Sequence, residues 1–171
     1  MANPAAFGSP STGSSDIFLS VQTKRAGKVK GEAANPGHED EIVVKGWNWG
    51  VSATSALGST QATSRRAYKG LTIYKQIDAA TTALMAALAT NDEVKEAKLT
   101  MRKSGSEQID YFLITLQKAR ISAVDHSTDA AGNTIETVTL QFNKVSVEYR
   151  PQKSAGSRGA SMTFEDEILN N

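Results

Sequence analysis

The sequence predicts a mainly β fold: a small β-barrel of two sheets with one flanking α-helix, about residues 78–90, and a long extended loop, about residues 51–69. Three observations predict it. Apolar and polar residues alternate in several separate runs, the period of strands with one buried face. A single stretch, "DAATTALMAALATND" from Asp78, has helix-forming composition. In the last long run the alternation changes parity partway, as in a bent strand that serves two walls of a barrel.

Residues 1–15, "MANPAAFGSPSTGSS", are rich in Gly, Pro, Ser and Ala and read as a disordered N-terminal extension. In "DIFLSVQ", Ile17, Leu19 and Val21 alternate with Phe18 and Ser20, a first strand. The charges and turn formers of residues 24–39, "KRAGKVKGEAANPGHE", read as a loop, and a second strand runs from Glu41 to about Gly50. It holds both tryptophans of the chain, in "KGWNWG". Strand alternation puts Trp47 and Trp49 on one face and Asn48 on the other. Val43 and Val51 share the tryptophan parity, so both indoles are expected in the core as wedges, unless a bulge at Gly46 changes the phase.

The small, hydroxylated stretch "VSATSALGSTQATSRRAYKG" follows, a length of connection that is usually functional or disordered. A short strand returns from Leu71 to Ile77. Asp78 is a suitable helix N-cap, Ile77 is placed to staple onto Thr82, and Ala80, Ala83, Leu84, Ala87 and Leu88 form one narrow apolar stripe. Such a stripe lies on a sheet. In "AKLTMRK", Ala97, Leu99 and Met101 face one way and Lys98, Thr100 and Arg102 the other. "IDYFLITLQKARISAV" is apolar on both faces at its middle, as for a strand covered from two sides. "DHSTDAAGN" reads as a loop. The last strand turns Val138, Leu140 and Phe142 inward, and its later apolar residues, Val145, Val147 and Tyr149, have the opposite parity, which predicts a bulge near Asn143 and Lys144.

At 171 residues the chain fits one domain with a closed core. Its net charge of +1 argues against a nucleic-acid binder, and the absence of cysteine excludes disulfides and a thiol nucleophile. No run is apolar enough to span a membrane, and the N-terminus has neither the basic nor the apolar region of a Sec signal. "HEDE" at 38–41 offers an imidazole and three carboxylates, yet with only His126 besides, HExxH is impossible, and a solvated strand entry is the plainer reading. "DHS" at 125–127 has triad residue types, but sequence neighbours do not form triad geometry. No catalytic, cofactor or metal residue is assigned. A monomeric carbohydrate-binding module with Trp47 and Trp49 as an exposed platform is the rival from another class.

"DIFLSV", "KGEA", "HEDEI", "WNWG", "YKQIDAATTALMAAL", "AKLTMRKSG", "YFLITL" and "VTLQFNKVSVEYRPQ" occur in this order and resemble the hemolysin-coregulated protein (Hcp) family, the inner-tube protein of bacterial type VI secretion. The resemblance covers residues 16–152 and implies a β-barrel domain there. It further implies homohexameric rings stacked into a tube, with a spike protein at the tip, contractile sheath proteins around it and small effectors in the lumen. It implies assembly in the bacterial cytoplasm and export without a Sec signal, or a paralogue devoted to carrying one effector. By the same resemblance Asn48 faces the lumen, and Leu57, Arg65, Arg66 and Tyr68 of the long loop reach a neighbouring subunit or ring. The tail, residues 153–171, matches the family poorly; Met162, Phe164 and Ile168 are candidates for a last short strand.

Overall fold

The computed structural model describes residues 16–54, 65–103, 108–151 and 159–168. The predicted N-terminal extension, Leu57 and the first part of the tail lie outside the described residues. The elements are β1 (Asp16–Thr23), β2 (Gly27–Lys28), β3 (Ile42–Val44), β4 (Gly46–Asn48), β5 (Val51–Thr54), β6 (Arg65–Tyr68), β7 (Leu71–Lys75), α1 (Thr81–Ala89), β8 (Val94–Arg102), β9 (Asp110–Thr128), β10 (Thr134–Tyr149) and β11 (Met162–Glu167).

All strand pairs are antiparallel. Nine strands form one sheet with the path β2-β1-β8-β9-β10-β7-β4, to which β3 adds on β1 and β11 adds on β10; β5 and β6 form a separate two-stranded ribbon. Among the described residues the fold is mainly β with two sheets and one helix, but the hydrogen-bonded path is open, where a barrel was expected. The chain itself bridges the gap. β3 pairs with β1 near one end of the path, β4 pairs with β7 near the other, and Lys45 alone separates them. The N–H of Lys45 is donated to the Tyr74 carbonyl (2.7 Å), which completes the handover.

This break corrects the expected strand from Glu41 to Gly50. Ile42 and Val44 are buried, whereas Val43 and Val51, expected inside with the tryptophans, are 36% and 52% exposed. The phase changes as the chain moves from one sheet edge to the other. Lys45 is spent on the crossing, so Val44 and Trp47 both face the core although their parity differs.

The core gathers Leu19, Val21, Ile42, Ile73, Leu84, Leu99, Ile114, Leu116, Val138 and Leu140, each fully or almost fully buried. Phe18 is equally buried on the opposite face of β1, because residues 36–41 fold back over it. The same cover buries Thr100 and Arg102, on the face opposite Ala97, Leu99 and Met101 as the alternation has them.

The parity change expected in β10 is present, since buried residues run to Phe142 and resume at Val145. It is not a bulge of β10 against β9, whose register is unbroken there. Burial passes from Leu116 to Ala119 in β9 and from Val94 to Ala97 in β8 at the same level. Three adjacent strands therefore crease together, and Lys118 in β9 takes the left-handed conformation, φ 49°, that the crease demands. The register shift between β9 and β10 lies instead at Thr139/Leu140, where Ser122 is the extra residue.

The helix begins at Thr81, one turn later than expected, after a turn held by the Asp78 carboxylate accepting the N–H of Ala80 (2.9 Å). Its buried side is Thr81, Leu84 and Ala87 with Ala80 just before it. Ala83 and Leu88 of the expected stripe face out, and Ile77 is 55% exposed, so it forms no staple. The expected loop at "DHSTDAAGN" is shorter than read: β9 extends through Thr128, and Asp129 closes a tight turn by accepting the N–H groups of Ala131 and Asn133.

Candidate functional site

The tryptophan segment sits where β4 lies on β7. Trp47 opposes Ile73 and stacks on Phe112, with ring centroids 6.4 Å apart. Trp49 stacks on Tyr68 at 5.9 Å and meets Phe142 at 6.3 Å, and Tyr68 meets Phe142 edge-on at 5.6 Å. Both indoles are half-buried and pack against the core. The Trp49 indole N–H is buried without an acceptor among the described residues, a cost of about 1–3 kcal/mol that the ring packing has to exceed.

Asn48 points the other way and is exposed. Register places it in a row with Thr72, Thr139 and Ala123, and the next row of that face holds Gly46, Tyr74, Thr137 and Asp125. Thr72 and Thr139 hydroxyls lie 3.4 Å apart, and the bulged Ser122 donates to the Thr139 carbonyl at 3.2 Å. The result is an outer wall on four strands whose row through Asn48 holds small hydroxyl, methyl and amide groups, with Tyr74 and Asp125 in the next row. Nothing in it forms a nucleophile–base pair. Around Asn48 it offers hydrogen bonds and little bulk.

The long loop is a β-ribbon at its base. Val51–Thr54 of β5 pair with Arg65–Tyr68 of β6. Two of the loop residues expected to reach a neighbouring subunit or ring, Arg66 and Tyr68, have partners within their own chain. Arg66 donates to both carboxylate oxygens of Asp166 and to the Glu167 carbonyl, and the Tyr68 hydroxyl donates to Asp166 at 2.6 Å. Those hydrogen bonds from Tyr68 and Arg66 hold the Asp166 carboxyl below its ordinary pKa; burial, then the bond to Asp166, push the Tyr68 phenol up. Lys118 at the crease reaches Glu167 at 2.5 Å, so β11 joins ribbon base and crease.

Two buried ionic clusters complete the picture, and neither was legible in the sequence. Lys75, Glu136 and His126 stand in one cross-strand row, with the Lys75 ammonium 2.6 Å from Glu136, 2.9 Å from Asp78 and 3.3 Å from the Thr81 hydroxyl. His126 meets the other Glu136 oxygen at 2.8 Å. Burial works to raise the Glu136 pKa, but hydrogen bonds from Lys75, His126 and Thr81 outweigh it and hold the carboxyl low. Strand alternation turns Asp125 and Ser127 to the face opposite His126, so "DHS" has no triad geometry.

In the second cluster, His38 stacks on Phe18 (4.4 Å) with its ring nitrogens 2.7 Å from Glu41 and 3.0 Å from Asp110. Arg102 also donates to Asp110 (3.0 Å) and to the Pro36 carbonyl (2.8 Å). His38 and Glu41 of "HEDE" thus belong to a buried clamp, where a solvated strand entry was expected, while Glu39 and Asp40 are exposed as that reading had them. The signal lay in Arg102 and Asp110, charges at the ends of apolar strands. Among the described residues no group of three His, Asp or Glu is placed to hold a metal ion, and no helix is long and apolar enough to cross a membrane.

The comparisons agree with this architecture. The family model described as "Type VI secretion system effector, Hcp" matches residues 18–149. The chain is 36% identical over 149 residues to Protein hcp1 of Pseudomonas aeruginosa, covering 84% of this chain and 88% of that one. It is 26% identical over 136 residues to the Major exported protein of the same organism, covering 74% and 79%. Hcp1 from Salmonella typhimurium superposes with a TM-score of 0.71 at 26% identity, over 90% of this chain and 95% of that one. A further solved type six secretion system protein reaches a TM-score of 0.77 at 21% identity, over 87% and 92%. With its curved sheet, single flanking helix and paired tryptophans, this chain belongs to the Hcp family of type VI secretion proteins.

Proposed function

We propose that this chain is a structural tube subunit. Six copies close into a ring, rings stack into the inner tube of a type VI secretion machine, and the tube carries small effectors in its lumen. A spike protein caps the tip and contractile sheath proteins surround the tube. The protein assembles in the bacterial cytoplasm and leaves with the tube. Its work is mechanical and adhesive, and it needs no cofactor and no reaction.

The observation that carries this reading is the wall around Asn48. A conduit wall has to offer hydrogen bonds without obstructing passage, and Asn48, Thr72, Thr139 and Thr137 supply that. Trp47 and Trp49 act from behind as wedges that fix the wall's curvature. A sugar platform needs free indole faces, and both rings stack on aromatic side chains of this chain. Leu57, Arg65, Arg66 and Tyr68 of the long loop contact the neighbouring subunit or ring, and the bonds of Arg66 and Tyr68 to Asp166 set the direction in which the ribbon leaves the sheet.

The test is Asn48→Arg, read by solution mass and by effector retention. Rings of wild-type mass that no longer retain or export effectors are expected. Unchanged retention places Asn48 outside the lumen. A wild-type protein that remains monomeric at micromolar concentration overturns the ring.

A further inference from the structure

Among the described residues β2, β3, β4 and β11 each pair on one side only, and two of these edges, β2 and β11, match each other. β2 hydrogen-bonds only to β1, and β11 only to β10, among the described residues. Val29 donates its N–H to Val21 (2.9 Å), so alternation turns the backbone groups of Lys28 and Lys30 away from β1. At the other edge Ile168 donates to Asn143 (2.6 Å), so Thr163, Glu165 and Glu167 turn theirs away from β10.

Register carries one continuous row across six strands: Lys28, Gln22, Glu96, Gln117, Lys144 and Glu167. Lys30 lies two residues beyond Lys28 and Glu165 two residues before Glu167, so all four edge charges share one face. The path β2-β1-β8-β9-β10-β11 alternates direction at each step, so β2 and β11 run opposite ways. A second copy in the same orientation therefore presents its β2 antiparallel to the first copy's β11. Lys30 then falls across from Glu165, and Lys28 across from Glu167.

We propose that β11 of one copy adds to β2 of the next, and that this strand addition is the contact that closes the ring. The inference rests on the ring reading above and names the surfaces that make it. Lys28, Lys30 and Glu165 are exposed and have no ion-pair partner among the described residues. Arg66 already holds the Glu167 carbonyl (3.2 Å), so the open part of the β11 edge is centred on Glu165. A groove of about 610 Å3 runs beside the β2 edge, walled opposite by Ala79, Ala83, Ala86 and Ala87, whose small side chains leave room for a strand. The other face of β11 carries Met162 and Phe164, 66% and 49% exposed, which give that wall an apolar partner. An open strand edge with matched charges and an uncovered apolar face is the chemistry of a second strand, not of a small cargo.

The experiment is a charge exchange read by light scattering at micromolar concentration. Lys30→Glu or Glu165→Lys alone brings like charges together and is expected to shift ring dissociation at least tenfold toward monomer. The two together restore the wild-type mass. The chain has no cysteine, so Lys30→Cys with Glu165→Cys gives an independent readout: oxidation yields covalent multimers above dimer, and either change alone stops at dimer. Rings indifferent to both single charge changes, or a cysteine pair that yields nothing above dimer, overturn the edge assignment and leave the ring reading intact. A wild-type monomer removes the ring reading itself.

Discussion

At the scale of single residues, the two tryptophans answer to different substitutions. Each packs against the core through its ring, so Trp47→Ala or Trp49→Ala removes a large buried body and leaves a cavity; about 3 kcal/mol is expected, the lower end for a large aromatic because each indole is half-buried. Trp49→Phe separates packing from polarity. It keeps much of the stack on Tyr68 and removes the unpaired indole N–H, so a stability within about 1 kcal/mol of wild type is expected in urea. A loss as large as that of alanine would mean that the N–H has an acceptor in the assembled protein. Lys75 is the opposite case, a buried cation whose removal strands Glu136. Lys75→Met is expected to cost about 3–5 kcal/mol, with part of the loss recovered when Glu136→Gln is added. This cluster and the one around His38 together set the acid limit. Glu136 is held below its ordinary 4.5, and Asp110, through His38 and Arg102 and against its own burial, below 3.8. Both contributions are complete above the unfolded values and are lost as pH falls through the lower folded ones. Urea midpoints should therefore hold near neutrality and fall steadily below about pH 4.5, and Glu136→Gln should flatten part of that fall.

At the scale of elements, β11 does more than its length implies. It completes the sheet on β10, and through Asp166 it anchors the base of the ribbon. Asp166→Ala leaves the Tyr68 ring packed on Trp49 and Phe142 but frees Arg66. Hydrogen exchange is then expected to quicken at Arg65–Tyr68 and to stay unchanged at Leu71–Lys75; equal rates at both would show that the ribbon is positioned by the aromatic stack alone. Most of the strands were legible in the sequence because their alternation is local: β1, β8, β9 and β10 stand near where the period puts them. What was not legible depends on partners distant in sequence. The phase change at Lys45 arises because β3 and β4 pair with different strands. The crease arises because β8, β9 and β10 turn together, and a single strand's parity does not distinguish that from a bulge. The burial of Thr100 and Arg102 needs the cover supplied by residues 36–41. Asn48 was placed outside by parity alone, and the register adds the Thr72 and Thr139 neighbours that make it part of a wall.

At the scale of the whole molecule, an open sheet is the feature that connects stability to assembly. A sheet closed on itself by hydrogen bonds is complete as a monomer, whereas this open sheet leaves β2 and β11 among its one-sided strands and exposes Met162 and Phe164 on β11. Whatever satisfies those edges binds the folded chain and not the unfolded one, so it raises stability by mass action. The melting temperature should therefore rise with protein concentration across the range in which rings form, and reach a plateau above it. Lys30→Glu, which leaves the core untouched, should hold the melting temperature at the dilute wild-type value over the same range. If wild type and Lys30→Glu both melt independently of concentration while wild-type rings are present, the edges contribute nothing to folding stability. The contact that holds the ring then lies elsewhere on the barrel, with the ribbon as the next surface to change.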